Sequence, residues 1–313
     1  MNRHRLLFVL RIAVTVIALV ALFGLYRPGD VLPLAAHAGA IACTLAVVAY
    51  AVCIVVSAFK WSLIARDVPF ATLLHAVLAA CFYALLPSGQ LGAELGKAFI
   101  VKAKRPQAEN ILASIVFDKI AAVAGLLLIG VLASALSSHR VPSWQTALLI
   151  GLASCCAAAL FAAPWVVGIG RRLKLPASLF SARDTALRMV ETIQTYGQNR
   201  SLLLRCIVLG AISQCAVIAV YVVFAAALGL HVGTAELVGA VVIANLATLL
   251  PISVGGFGVR EAGLTALLAG QYGVPGEQAL ALSLLPMSVF LLFALAGALL
   301  ESHAVLRAAF RPR

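Results

Sequence analysis

Charge is scarce in this sequence. Only 11% of its 313 residues are Asp, Glu, Lys or Arg, against about 25% in a soluble domain. No polar stretch is longer than the segment around Arg171–Ser201, which leaves no room for a sizeable water-soluble catalytic domain. Cysteines in a disulfide or zinc pattern are missing too. Cys43, Cys53, Cys81, Cys155, Cys156, Cys206 and Cys215 all lie inside apolar runs and read as small hydrophobes. There is no His-Glu-x-x-His, no Walker loop, no Gly-x-Ser-x-Gly and no Cys-x-x-Cys. These absences exclude secreted disulfide-stapled, collagen-like and disordered classes, and an ATP-driven pump made of this chain alone. The expectation is a protein that is not an enzyme and holds no metal or cofactor.

Apolar residues are what the sequence has. They make up 63% of it, with a mean hydropathy of +1.08, and long runs follow one another from Leu6 to Leu300. The class is therefore an all-α polytopic membrane protein, one membrane domain over 1–313. The formal net charge of +12 would suggest nucleic acid in a soluble protein. Here the basic residues lie between apolar runs, so they speak for orientation and anionic lipid head groups, with no nucleic-acid partner.

Arg3 and Arg5 before Leu6–Tyr26 imitate a signal peptide, but the run is too long and reads as a first span. Further spans are expected at Leu34–Ala58, Ile111–Ala133, Thr146–Gly170, Leu202–Leu230 and Glu277–Leu300, each about 20 residues or more, enough for a hydrocarbon core of roughly 30 Å. Two apolar stretches do not fit. Leu237–Leu250 makes only roughly 21 Å of helix at about 1.5 Å per residue, and Pro251-Ile-Ser-Val-Gly-Gly-Phe-Gly-Val-Arg-Glu261 separates it from the shorter Ala262–Tyr272. Likewise, Phe70–Leu86 ends at Pro87-Ser-Gly-Gln-Leu-Gly-Ala-Glu94, and Lys97, Lys102, Lys104 and Arg105 follow.

The distribution of basic residues decides between crossing and turning back. With both broken stretches re-entrant and Arg3 cytoplasmic, only Arg27 and Arg140 of the 23 Lys and Arg fall outside, while Arg11, Lys119 and Arg260 lie at membrane depth. A crossing Phe70–Leu86 would instead place the Lys97–Arg105 cluster outside. The expected topology is about six spans and two re-entrant broken-helix hairpins, with both termini on the cytoplasmic side of a bacterial inner membrane.

That topology contains a symmetry. Residues 34–133 run span, hairpin, span, and 202–301 do the same with opposite insertion, joined through a cytoplasmic amphipathic linker at 171–201. The hairpins share Leu-Leu-Pro: Leu85-Leu86-Pro87 with Gly89, Gly92 and Glu94, against Leu249-Leu250-Pro251 with Gly255, Gly258 and Glu261. Matched Gly/Pro-broken segments in two halves are the sequence pointer to a transporter's midplane site. Irregular backbone at that depth persists only where it lines a cavity or is buried in protein.

Ionisable residues at membrane depth carry the candidate site, because a charge at a helix centre costs about 2.5–3.5 kcal/mol on insertion scales. Arg260 and Glu261 stand in the second hairpin, whose Gly255, Gly256 and Gly258 free backbone N–H groups to face an anion. A structural pair holding the hairpin shut is the other reading. Glu94 with Lys97 is the counterpart in the first hairpin. Asp118 and Lys119 are neighbours on one helix and so face apart; each needs a partner elsewhere, Lys119 with Glu94 or Asp118 with Arg260. Gln214, Asn245 and Tyr83 are uncharged candidates in apolar helices. His37 and His75 read as interfacial or hydrogen-bonded, and Trp61 beside Lys60 as an interface anchor. In Ser181–Tyr196, Leu179, Ala182, Ala186, Val190 and Ile193 form a stripe opposite Arg183, Asp184 and Arg188, an amphipathic helix on the cytoplasmic leaflet.

Lys60-Trp61, the Leu85–Glu94 hairpin with Lys97, Asp118-Lys119, Gln214 and above all Pro251–Glu261 resemble the lysylphosphatidylglycerol synthase transmembrane (flippase-like) family over nearly the whole chain. The resemblance implies a membrane domain that moves lipid between leaflets. In the fused synthases an aminoacyl-transferase domain follows. This chain runs to Arg313 without one, so synthase activity is not implied. Two departures are Lys60 and Lys119, where the family often has Arg, and a first hairpin without Gly-Gly. The partner expected is a membrane phospholipid or an isoprenoid lipid. Small-residue stretches such as Gly125–Gly130 and Gly297 would permit a homodimer. The remaining alternatives are a carrier for a polyprenyl phosphate or small anion, and a non-transporting subunit of a separate lipid-modifying enzyme.

Overall fold

The computed structural model describes residues 38–86, 88–105, 110–137, 141–172, 180–250 and 253–309, with parts of 13–34. Among these residues there is no strand. The helices are α1 (Gly39–Ile64), α2 (Phe70–Ala84), α3 (Gln90–Lys104), α4 (Ile111–Leu136), α5 (Ser143–Arg172), α6 (Phe180–Gln198), α7 (Arg200–Ala227), α8 (Thr234–Ala247), α9 (Val259–Tyr272) and α10 (Gly276–Ala309).

Length divides them into two kinds. Residues 39–64, 111–136, 200–227 and 276–303 are long and apolar enough to cross a membrane, and they correspond to four of the expected spans. The chain is a multi-pass membrane protein. α5 covers the expected span Thr146–Gly170, the first span, Leu6–Tyr26, lies partly outside the described residues, and His37 and Leu179 lie outside them. By contrast α2 and α3 have 15 residues each and α8 and α9 have 14. Each is about 21–23 Å long at about 1.5 Å per residue, short of a hydrocarbon core of roughly 30 Å. The apolar faces of the long helices look outward. On α1, Ile41, Leu45, Val48, Val52 and Val55 are exposed at alternating steps of four and three, a lipid-facing stripe at the helical period.

The order long helix, two short helices, long helix occurs twice, in α1–α4 and in α7–α10. Packing respects the exchange of the two units. α1 lies against α7, α2 of the first unit packs on α10 of the second, and α8 of the second packs on α4 of the first. Glycines permit the close approaches. Gly125 of α4 sits against the Gly210–Ala211 backbone of α7, and Gly297 of α10 against Leu78 and Ala79 of α2, so these small residues are used within the chain.

Two local readings are corrected. Trp61 is no interface anchor: it is 1% exposed, and its Nε1 donates to Ser114 Oγ at 3.0 Å. Lys60, expected at the cytoplasmic surface, is also 1% exposed. α1 continues past Ala58 to Ile64, which carries both side chains into the seam with α4. In the linker helix α6, the partly buried Ile193 packs against the core of α1, α2 and α4, and Tyr196 meets Phe117 with ring centroids 5.4 Å apart.

Candidate functional site

The two pairs of short helices meet at their loops. Residues 85–89 join α2 to α3, and residues 248–258 join α8 to α9. Gly89 has a φ of +58° and Gly255 of +62°, a region L side chains rarely adopt. The contact between the loops excludes a side chain at either position. A Cβ on Gly89 would stand 2.7 Å from the Gly255 amide nitrogen, and one on Gly255 would stand 2.7 Å from the Ala84 carbonyl oxygen. The tips of the two hairpins are therefore backbone against backbone.

Each distal helix carries a glutamate in its first turns, and each glutamate holds a cation. Glu261 is 0% exposed. Its Oε2 accepts from the N-cap Gly258 N–H at 2.7 Å, and its Oε1 accepts from Arg260 Nε at 3.0 Å and from a terminal guanidinium nitrogen at 2.7 Å. With both carboxylate oxygens bound, Glu261 fixes the loop and aims Arg260. In the first hairpin Glu94 Oε2 accepts from Lys97 Nζ at 2.9 Å, and Glu94 Oε1 lies 3.3 Å from Lys119 Nζ. Lys119 also donates to Gln90 Oε1 at 3.3 Å. The suggested pairing of Lys119 with Glu94 is present.

Asp118 does not pair with Arg260. Its partner is Lys60, whose Nζ lies 3.1 Å from Asp118 Oδ1 and donates to the Asp118 carbonyl oxygen at 3.0 Å. Lys97 lies 5.9 Å from the centroid of the Trp61 ring, and two separate ion-pair groups, Lys60–Asp118 and Lys119–Glu94–Lys97, start from adjacent residues of α4. Adjacency on α4 turns Asp118 toward α1 and Lys119 toward α3, as neighbouring helix positions must.

A cavity of about 210 Å³ opens between the units. Lys119 and Gln90 line it from the first unit, and Gln214, Asn245, Gly255 and Arg260 from the second. Pro286 also lines it, and having no N–H it leaves the Leu282 carbonyl without its helical partner in α10. A second cavity, of about 390 Å³, shares Gln90, Lys119, Thr248 and Leu249 with the first and is otherwise mainly aliphatic, with Glu94 and Gly256 in its wall. Asp118, Lys97, Glu261 and Gly258 are not in either lining; Lys97 pairs with Glu94 and Glu261 with Arg260, which are, whereas Asp118 pairs with Lys60 and Gly258 donates to Glu261.

Several lining residues escaped the sequence reading. Gln90 and Thr248 stand beside the two breaks, and Tyr50 and Tyr221 come from α1 and α7. The usable signal was a polar side chain close to each Leu-Leu-Pro break, Thr248 directly before one and Gln90 three residues after the other. A separate polar cluster joins α2, α3 and α10 outside the cavities. His75 Nε2 lies 2.8 Å from Glu301 Oε1, Tyr83 donates to Glu301 Oε2 at 2.9 Å, and Lys104 Nζ is 2.8 Å from His75 Nδ1. Tyr83 and His75 thus bond between helices, as polar groups in apolar helices commonly do.

Two cations from two units, Arg260 held by the buried Glu261 and Lys119 by the partly buried Glu94, over a cavity that shares its wall with an aliphatic one, form a site suited to an anionic group attached to hydrocarbon. No curated protein matches the chain at a significant level. The sequence profile of the lysylphosphatidylglycerol synthase TM region matches residues 8–298, nearly the whole chain, and the protein belongs to that family.

Proposed function

We propose that this protein is a lipid transporter, a flippase that moves an anionic or zwitterionic polar lipid between the leaflets of a bacterial inner membrane. Membership in a family of lipid-synthase membrane regions points to work on membrane lipids. The observation that carries the finer reading is the placement of Lys119 and Arg260, one from each unit, on the wall of one cavity beside the meeting point of the two hairpins. In this reading the hairpins are re-entrant and the units inserted in opposite senses, with both termini cytoplasmic. Alternating access then follows from rocking one unit against the other about the Gly89–Gly255 contact. The cations bind the head group, Glu94 and Glu261 keep them aimed, and the tails stay in the bilayer.

Leaflet exchange of labelled phospholipids in proteoliposomes containing only this protein tests the proposal, beside the Arg260→Ala/Glu261→Gln variant. Exchange by the native chain that the variant loses is the expected result. Absence of exchange for every phospholipid and isoprenoid phosphate tried, with and without a proton gradient, would transfer support to a subunit that acts through a partner enzyme.

A further inference from the structure

Two polar ties join the halves of the fold. Among the described residues, every side-chain hydrogen bond or ion pair between α1–α5 and α7–α10 lies at one of two places. The first joins the first hairpin to α10. Glu301 of α10 accepts from Tyr83 and lies 2.8 Å from His75 Nε2, both on α2, and Lys104 of α3 meets the other ring nitrogen of His75. The second joins the second hairpin to α5. Tyr272, which ends α9, donates to Gln145 Oε1 at 2.9 Å, and Gln145 lies in the first turn of α5. Gln145 is 0% exposed, and its Nε2, without a hydrogen-bond partner, stands where a Cβ on Gly239 of α8 would be. α5 itself packs on α4 of the first unit.

The two ties are related by the internal repeat and lie at opposite ends of the bundle. His75 stands ten residues before Leu85 and Gly239 ten before Leu249, so both ties engage the same position of the repeated hairpin. Lys104 ends α3 just before α4 begins, and Gln145 follows just after α4 ends. With 26 residues, α4 is about 39 Å long at about 1.5 Å per residue. The smaller cavity lies between the ties. α4 lines it with Lys119, Ala122 and Leu126 in mid-helix, and α10 with Pro286, midway in sequence between Tyr272 and Glu301.

Beside Glu301, α2 and α10 touch through close packing, with Gly297 on Leu78 and Ala79. Surrounding hydrocarbon is as apolar as such surfaces, so hydrophobic burial does not decide whether they stay together, and interhelical hydrogen bonds weigh in that choice. A side-chain bond also breaks without unfolding either helix. Resting on the transport reading above, we infer that the two ties are the gates of the transporter: Glu301 with His75 and Tyr83 at the end where α10 finishes, Gln145 with Tyr272 at the other. With both tied, as here, the units are held together at both ends of the cavity. Breaking one tie parts them at its own end alone, which makes access alternate.

Sided labelling of a cavity thiol tests this. Ala122→Cys places the thiol in the cavity wall, and an anionic, membrane-impermeant methanethiosulfonate is applied to right-side-out and inside-out membrane vesicles, with the native chain as the background from its own cysteines. Glu301→Gln and Tyr272→Phe each remove one tie and keep the shape of the side chain; where either unfolds, His75→Phe or Gln145→Met removes the same tie. Glu301→Gln is expected to raise the labelling rate at position 122 at least about fivefold from the face where α10 ends, the loss of one hydrogen bond, and to leave the other face unchanged. Tyr272→Phe should do the reverse. Rates raised equally from both faces, or unchanged in every folded variant, would overturn the gates. The assay separates this inference from the transport reading. The sided pattern without leaflet exchange upholds the gates and ends the flippase proposal, whereas leaflet exchange with labelling indifferent to both ties does the reverse.

Discussion

Gly89 of the first hairpin and Gly255 of the second meet so closely that a Cβ on Gly89 would lie 2.7 Å from the Gly255 nitrogen. Both residues also have positive φ. Alanine at either position would meet a backbone strain of about 1–3 kcal/mol and an occupied volume together. Gly89→Ala and Gly255→Ala should each lower thermal stability in detergent by about that much or more. An unchanged melting temperature in both would mean that the hairpin tips do not touch.

Lys60 and Asp118 form a buried pair between α1 and α4. Removing one partner of such a pair costs about 3–5 kcal/mol, because the other charge stays buried, whereas replacing both with apolar groups is often neutral. Lys60→Met and Asp118→Leu should each cut the yield of folded protein, and the double variant should recover most of it. Recovery is read by size-exclusion profile and melting temperature; a double variant worse than either single one would contradict the pairing.

Glu261 binds Arg260 through two hydrogen bonds from the guanidinium, and also caps its own helix. Glu261→Gln keeps an acceptor for the Gly258 N–H but loses the charge. Glu261 is 0% exposed and charged hydrogen bonds contribute about 1.5–3 kcal/mol, so Glu261→Gln should lower the melting temperature and, in the protein that remains folded, cut lipid exchange about ten- to a hundredfold. A folded variant that exchanges normally would contradict Glu261 as the residue that aims Arg260.

Glu301 ties His75 and Tyr83 together well away from either cavity. Its side chain is 16% exposed, so Glu301→Gln should cost only about 1 kcal/mol of stability. The lipid preference measured with the variant should match that of the native chain. A changed preference would bring this cluster into the substrate path.

The spans were legible because a bilayer demands runs of about 20 apolar residues, and nothing else in the sequence competes with that signal. The breaks were legible because Gly and Pro at 87–89 and 251–258 disfavour regular helix. Glu94 and Lys119 were legible as a pair because an ionisable group at that depth must find a partner. Lys60 was not. A lysine near the end of an apolar run looks like one that snorkels, and only the packing of α1 on α4 shows that it is enclosed. The same packing decided Asp118 in favour of Lys60 over Arg260, a choice between long-range partners that helical periodicity does not encode. Gln90 and Thr248 were overlooked because an uncharged residue next to a break reads as turn chemistry.

The central claim is that Lys119 and Arg260 serve one lipid head group from the two halves of the fold. Its most direct test is the rate of phospholipid leaflet exchange in proteoliposomes for the native chain, Lys119→Ala, Arg260→Ala and the double variant, each first shown by its melting curve to be folded. The account predicts exchange by the native chain, a loss of at least about tenfold in either single variant, which is about 1.4 kcal/mol, and none above empty liposomes in the double. A folded double variant that exchanges lipid at the native rate would contradict it.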